Sequence, residues 1–123
     1  MHLVSRTELK FMLDRQEDFL LLNILSSSFF KNCHIPGSRN ASVSDPRFVG
    51  QVESILGEKG KSYPIVTYCG GFECNASKCA AKLLLERGHT QVSVFEGGME
   101  DWLDAGYPSS GSEALTCEIL CSS

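Results

Sequence analysis

Apolar positions switch between two spacings along the chain, and the switches mark its elements. Leu9, Met12 and Leu13 recur at helical spacing behind Ser5 and Glu8, a pair with the separation of a capping box, which predicts an opening helix. Phe19-Leu20-Leu21-Leu22-Asn23-Ile24-Leu25 is an almost unbroken apolar run, as a strand covered on both faces requires. Residues 26–33 read as a loop. Residues 34–41 read as a turn, punctuated by Pro36 and Gly37, that leads into a short extended piece. Asp45-Pro46 has the form of an N-cap followed by proline at the first helical position. The helix behind it carries Phe48, Val49, Val52, Ile55 and Leu56 and stops at Gly57.

Pro64-Ile65-Val66-Thr67-Tyr68 is a short β-branched run and is predicted to be the central strand. After a loop over 69–74, a helix is predicted from 75 to 87 with Gly88 as its stop. Val92-Ser93-Val94-Phe95 makes another strand. Gly97-Gly98 then turns the chain into a short helix through Trp102 and Leu103, ended by Gly106 and Pro108. Strands alternating with helices imply an α/β domain with a largely parallel sheet, here over residues 1–108. Residues 109–123 are Ser-rich and are expected to form a loosely held tail, in which Cys117 and Cys121 stand four apart and would share a helical face.

Composition narrows the class. A chain of 123 residues holds one core, and 42% hydrophobic with 21% charged residues is ordinary for a soluble globular protein. Eleven basic residues against 15 acidic ones give a net charge of −4 without any basic run, which excludes nucleic acid as a partner. There is no long apolar stretch behind a basic start, and the run over 19–25 is too short to span a bilayer, so neither a signal peptide nor a membrane segment is expected. A cytoplasmic location follows, with the six cysteines (Cys33, Cys69, Cys74, Cys79, Cys117 and Cys121) as reduced thiols.

Candidate chemistry gathers at Cys69. Ligands of an open α/β sheet bind beyond the carboxyl ends of its strands, and Cys69 directly follows the strand that ends at Tyr68. The next residues, Gly70-Gly71-Phe72-Glu73-Cys74, open on two glycines, so the backbone can curl and turn several N–H groups inward. The helix beyond adds the positive end of its dipole. Such surroundings lower a thiol's pKa towards neutrality, and the thiolate is the nucleophile. Position alone leaves two readings open: a nucleophile, or a small residue at a strand end.

Four separated segments resemble the rhodanese-like (sulfurtransferase) family in its own order. His34-Ile35-Pro36-Gly37-Ser38-Arg39-Asn40 is similar to the family's GHIPGAxN segment, and Val66-Thr67-Tyr68-Cys69 to its active-site strand and cysteine. Residues 76–84 are similar to its S-x-x-A-A-x-x-L helix. Glu96-Gly97-Gly98-Met99, Trp102 and Ala105-Gly106-Tyr107-Pro108 are similar to its closing signature. The resemblance spans roughly residues 5 to 108. It implies a five-stranded, mainly parallel sheet flanked by helices and a catalytic Cys69. That cysteine would take a sulfane sulfur from a small donor, become a persulfide, and pass the sulfur to a thiol or cyanide acceptor, a protein thiol included. The amides of Gly70, Gly71, Phe72, Glu73 and Cys74 would stabilise the persulfide anion. No metal or organic cofactor is implied. His34 is expected to fix its turn by hydrogen bonding, Trp102 to lie in the core, and Gly97-Gly98 to make a tight turn.

The sequence departs from the family's pattern in three places. Asn23-Ile24-Leu25 stands where the family often has Asp-Val-Arg, and Cys33 where its second segment begins with glycine. Ser77 follows Cys69 by eight positions, so the loop is about two residues longer than the common one, with Glu73 and no arginine. Glu73 would disfavour thiosulfate, a dianion, if it pointed inward, so persulfide or thiol-linked donors are expected instead. The longer loop brings in Cys74, a candidate resolving thiol for a disulfide with Cys69. Cys79, about 140° round the helix from Cys74, is expected on the core face.

Other chemistries fit less well. A phosphatase on this fold needs an arginine six residues after the cysteine, where Asn75 stands. Gaps of four residues between Cys69, Cys74 and Cys79 do not match common zinc or iron–sulfur spacings. The alternative to a sulfurtransferase is a non-catalytic module of the same family that senses oxidants or persulfides or binds a protein.

Overall fold

The structure, a computed structural model, describes residues 2–112. Five strands form one parallel sheet: β1 (His2–Leu3), β2 (Leu20–Asn23), β3 (Arg39–Asn40), β4 (Ile65–Tyr68) and β5 (Val92–Phe95), in the order β1-β5-β4-β2-β3. Four helices connect them, α1 (Arg6–Asp14), α2 (Ser27–Asn32), α3 (Phe48–Leu56) and α4 (Ala76–Glu86), and α5 (Gly98–Asp104) follows the last strand. The α/β class and the parallel sheet are as the sequence implied. β4 lies between β2 and β5, with Leu22 opposite Thr67 and Thr67 opposite Val94.

Strand alternation divides the interior in two. Leu20, Leu22, Ile24, Ile65 and Val94 face α3 and α4, where they meet Phe48, Val52, Ala80, Ala81 and Leu84. Leu21, Val66, Tyr68 and Phe95 face the other way, onto Leu9, Met99 and Trp102. All four residues of β2 and of β4 are buried, which explains why these strands read as continuous apolar runs rather than alternating ones. Asn23 is the polar member of β2, and its side-chain oxygen accepts from the Leu25 N–H at 3.0 Å.

Local signals hold at most element ends. Ser5 and Glu8 close a reciprocal capping box on α1. Gly57 ends α3 with φ of +59°. Three differences stand out. Residues 27–32, expected as loop, form α2. This short helix has no apolar periodicity; a contact distant in sequence holds it, the Ser112 N–H donating to the Lys31 carbonyl at 2.8 Å, and the Phe30 ring stacks on nearby His34 at 3.9 Å. α3 begins at Phe48 rather than at Pro46, because the Asp45 carboxylate accepts the Arg47 N–H at 2.8 Å and makes a separate turn there. The stretch from Ser109 is not loose over its described part, since Ser110 and His34 exchange two backbone hydrogen bonds of 2.9 Å. The shared helical face expected for Cys117 and Cys121 lies outside the described residues.

The end of α4 carries a testable mismatch. The Gly88 N–H bonds the Leu85 carbonyl and the His89 N–H bonds the Leu84 carbonyl, with Gly88 at φ +95°, a Schellman ending whose last position favours an apolar side chain. His89 occupies it at 2% exposure, and neither ring nitrogen has a hydrogen-bond partner among the described residues. Burial, with help from the charge on Lys61, lowers the His89 pKa. The folded chain thus takes up this proton later than the unfolded one does, and stability present above the ordinary imidazole value falls away as the pH drops below it. His89→Leu is expected to raise the midpoint of thermal unfolding at neutral pH by about 4 °C, equivalent to about 1 kcal/mol. It should also flatten the acid side of the profile. Melts recorded from neutral to mildly acid pH check both, and an unchanged acid slope would contradict a buried neutral ring.

Candidate active site

The site lies at the carboxyl end of β4. Tyr68, the last residue of that strand, points to the α1 and α5 side and anchors the turn that follows Cys33. Its hydroxyl accepts the Ile35 N–H at 3.0 Å and lies 2.8 Å from Ser38 Oγ. Ser38 donates its own proton to the Ile35 carbonyl at 2.6 Å, so the Tyr68 hydroxyl donates to Ser38. His34 Nδ1 lies 2.6 Å from the Phe30 carbonyl, a positioning contact at the end of α2. The role expected for His34 in fixing this turn therefore has a specific bond behind it.

Cys69 continues the alternation of β4, so its side chain points to the opposite face, into the core shared with α4. It is 0% exposed. Its thiol donates to the Cys74 carbonyl at 3.4 Å and lies 3.5 Å from Ser77 Oγ. Burial pushes the Cys69 thiol up, and the adjacent Cys74 sulfur pushes the same way. Ser77, through its hydroxyl and its backbone N–H, works in the other direction without prevailing.

Cys74 is partly exposed. Burial works against its thiolate. The neighbouring Cys69 side chain and the backbone of Ala76 and Gly70 outweigh that, and the Cys74 pKa lies below the ordinary cysteine value. The physical origin is the start of α4. Asn75 takes the N-cap position without making a side-chain capping bond, which leaves first-turn amides to find other acceptors. Thr67 fixes this helix start to the strand by donating to the Ser77 carbonyl at 2.8 Å.

The loop is held from the other side by α5. The Met99 N–H donates to the Cys69 carbonyl at 2.9 Å and the Glu100 N–H to the Gly70 carbonyl at 2.8 Å. Within the loop the Cys74 N–H donates to the Gly71 carbonyl at 3.1 Å, so that amide is engaged in the turn. Gly71 is buried, whereas Phe72 and Glu73 are exposed. The geometry thus brings Cys69, Gly70, Cys74, Ala76 and Ser77 together and leaves Phe72 and Glu73 at the rim. Ser77 was legible only as a landmark of resemblance. The signal for its role is an asparagine at the helix cap that leaves the amides free.

Two expectations change. Cys79 does not face the core; it is exposed, because Ser77, Ala80, Ala81 and Leu84 set the buried face of α4. Cys33 is not a reduced thiol but is disulfide-bonded, while Cys69, Cys74 and Cys79 are free. Glu73 also lies in solvent, where a charge on a dianion a few ångströms away is worth about 1 kcal/mol rather than several. Among the described residues no three His, Cys, Asp or Glu side chains converge as metal ligands would, and no helix is long and apolar enough to cross a membrane. A wider polar cleft of about 920 Å³, lined by Arg39, Ser42, Asp45, Arg47 and Gln51 among others, contains no cysteine.

Comparison with known proteins supplies the wider context. The sequence model of a family described as Rhodanese-like domain matches residues 5–105. A solved structure of a Bacillus halodurans protein superposes with a TM-score of 0.80 at 22% identity, covering 93% of this chain and 80% of the other. The rhodanese-like domain of an Anabaena sp. protein, solved by NMR, gives 0.78 at 27% identity, covering 92% and 81%. A thiosulfate sulfurtransferase from Pseudomonas aeruginosa gives 0.77 at 20% identity, covering 90% of this chain but only 20% of its own. No curated protein matches the chain.

Proposed function

Since the chain belongs to the rhodanese-like domain family, we propose that it is a sulfurtransferase moving a sulfane sulfur through a cysteine persulfide on Cys69 to a thiol or cyanide acceptor. The observation that carries this reading is the free thiol of Cys69 at the carboxyl end of β4, bonded to the Cys74 carbonyl and lying beside Ser77 Oγ at the uncapped start of α4. A persulfide is more acidic than a thiol and holds its charge at the outer sulfur, and main-chain amides at a helix start stabilise such an anion without bringing in a proton of their own to transfer. One structural neighbour is named a thiosulfate sulfurtransferase, which supports the class of chemistry but not a donor. The loop has no arginine to clamp a dianion, so we favour persulfides and thiol-linked donors over thiosulfate. That preference now rests on the missing arginine alone.

Incubation with thiosulfate, and separately with a low-molecular-weight persulfide, followed by intact mass measurement tests the reading. The persulfide is expected to add one sulfur atom, which cyanide then removes as thiocyanate and which the double variant Cys69→Ser/Cys74→Ser does not acquire. Thiosulfate should add it much more slowly; comparable rates would refute the donor preference. The second reading, a sensor that does not turn over, is favoured by the burial of Cys69 beside another thiol. Its mark would be no gain from either donor together with ready formation of a Cys69–Cys74 disulfide under mild oxidation.

A further inference from the structure

We propose that the groove beside the Cys69 loop docks a basic, extended segment of a partner protein, which seats an apolar side chain between Phe72 and Leu3 and carries the acceptor cysteine. The proposal rests on the sulfur-transfer reading for what that cysteine receives, while the docking itself stands on the surface. Phe72, in the middle of the loop, is 58% exposed, and Leu3, on the edge strand β1, is 50% exposed. Both line one open groove of about 450 Å³ at the carboxyl ends of β1 and β5, together with buried Val4 and Gly97 and exposed Thr7 and Glu8. An aromatic ring standing in solvent at the mouth of a site is the kind of side chain that anchors protein contacts.

Charge identifies the occupant. Glu8, Glu96 and Asp101 line the groove, Glu73 follows Phe72, the Glu100 carboxylate lies over Gly71, and Asp104 joins Asp101 on Arg6. Against these six carboxylates stand two cations, both already held: Arg6 by the two aspartates at 3.2 and 3.1 Å, and Lys78 by Glu96 at 2.6 Å. Glu8, Glu73 and Glu100 make no ion pair among the described residues. The local excess of negative charge is as large as the net charge of the whole chain, −4, so the complementary surface is rich in lysine and arginine. A second copy of this chain would bring like charge to like charge. The chain's own last residues, 113–123, carry Glu113 and Glu118 and no lysine or arginine.

Docking here also serves the transfer. Cys69 is wholly buried beneath the Cys74 carbonyl and Ser77 Oγ, so a sulfur on it meets an acceptor only when the loop moves. A partner that grips Phe72 holds that loop three residues from Cys69, and its binding energy is available to uncover the sulfur. The acceptor thiolate then attacks the outer sulfur of the Cys69 persulfide. A new S–S bond forms to the acceptor as the bond from Cys69 Sγ to that sulfur breaks, and Cys69 leaves as the thiolate. The proton on the outer sulfur travels with it to the acceptor.

Anisotropy of a dye-labelled octapeptide tests the docking without sulfur chemistry: leucine, serine and phenylalanine at its centre, lysines on both sides, the serine standing for the acceptor cysteine. It is expected to bind about tenfold more tightly than the same peptide with glutamates for lysines, and to weaken as salt rises from about 0.05 to about 0.5 M. Phe72→Ala should cost about tenfold in Kd. Phe29→Ala, which removes another exposed ring that does not line the groove, should leave the affinity unchanged. Failure of both peptides to bind, equal affinity for the two, an unaltered Kd in Phe72→Ala, or an equal loss in Phe29→Ala would overturn the proposal. So would a dimer in sedimentation that Phe72→Ala dissolves, since a second copy would then cover the groove. If the lysine peptide binds as expected but its cysteine form gains no sulfur from persulfide-treated protein, the transfer reading fails and the docking surface stands.

Discussion

Gly98→Ala is expected to destabilise the fold by about 2–4 kcal/mol and to open the loop that carries both thiols. Two costs combine. Gly98 has φ of +61°, where an L side chain is strained, and a Cβ built there would stand 2.4 Å from the Cys69 carbonyl oxygen and 2.8 Å from the Gly71 nitrogen. Both neighbours are backbone, so no side chain can turn aside to make room. The contact is close because the Met99 and Glu100 amides reach down from the first turn of α5 to the Cys69 and Gly70 carbonyls. Pushing α5 away breaks those bonds and loosens the cover over Cys69.

Thermal melts should show a fall on the order of 10 °C for that variant, and native alkylation should begin to reach Cys69. Gly106→Ala separates the two costs. Gly106 has φ of +79° with nothing within 4 Å of the added atom, so only the strain remains, about 1 kcal/mol. Equal losses for the two variants, with Cys69 still protected in both, would mean that α5 does not hold the loop.

The Gly98 contact also marks where sequence reasoning stopped. β2 and β4 could be read because each lies under helices on both faces, and burial on both faces leaves a local imprint in every residue. The capping box of α1 and the glycine ends of α3 and α4 were equally visible, since a cap is a contact between near neighbours. β1 and β3, two residues each, are too short to show any period. α2 owes its form to residues 110–112, far along the chain. Cys69 was legible as a strand-end thiol, but not its direction: one step of alternation past Tyr68 sends it inward. The phase of Cys79 was counted from Cys74, which lies outside the helix, and the count misassigned its face.

Trp102→Ala is the substitution expected to cost the most, about 3–5 kcal/mol, a large share of the roughly 5–15 kcal/mol that holds a domain of this kind together. Trp102 is 1% exposed and meets Phe95 and Tyr107 edge-on, with ring centroids 6.3 and 4.8 Å away. Its indole N–H donates to the Pro108 carbonyl at 2.7 Å, which ties the segment after α5 to the helix. Truncation leaves a cavity between α5 and the sheet that neighbours in regular elements cannot collapse to fill, and it strands that carbonyl. The midpoint of thermal unfolding should fall on the order of 15 °C. Trp102→Phe, which keeps an aromatic ring and loses the donor, should fall by about a third as much. Because α5 also delivers the Met99 and Glu100 amides to the thiol loop, the alanine variant should expose Cys69 to alkylation at temperatures well below its own melting point. A variant that melts early yet keeps Cys69 protected up to the transition would show that the loop is held by α4 alone.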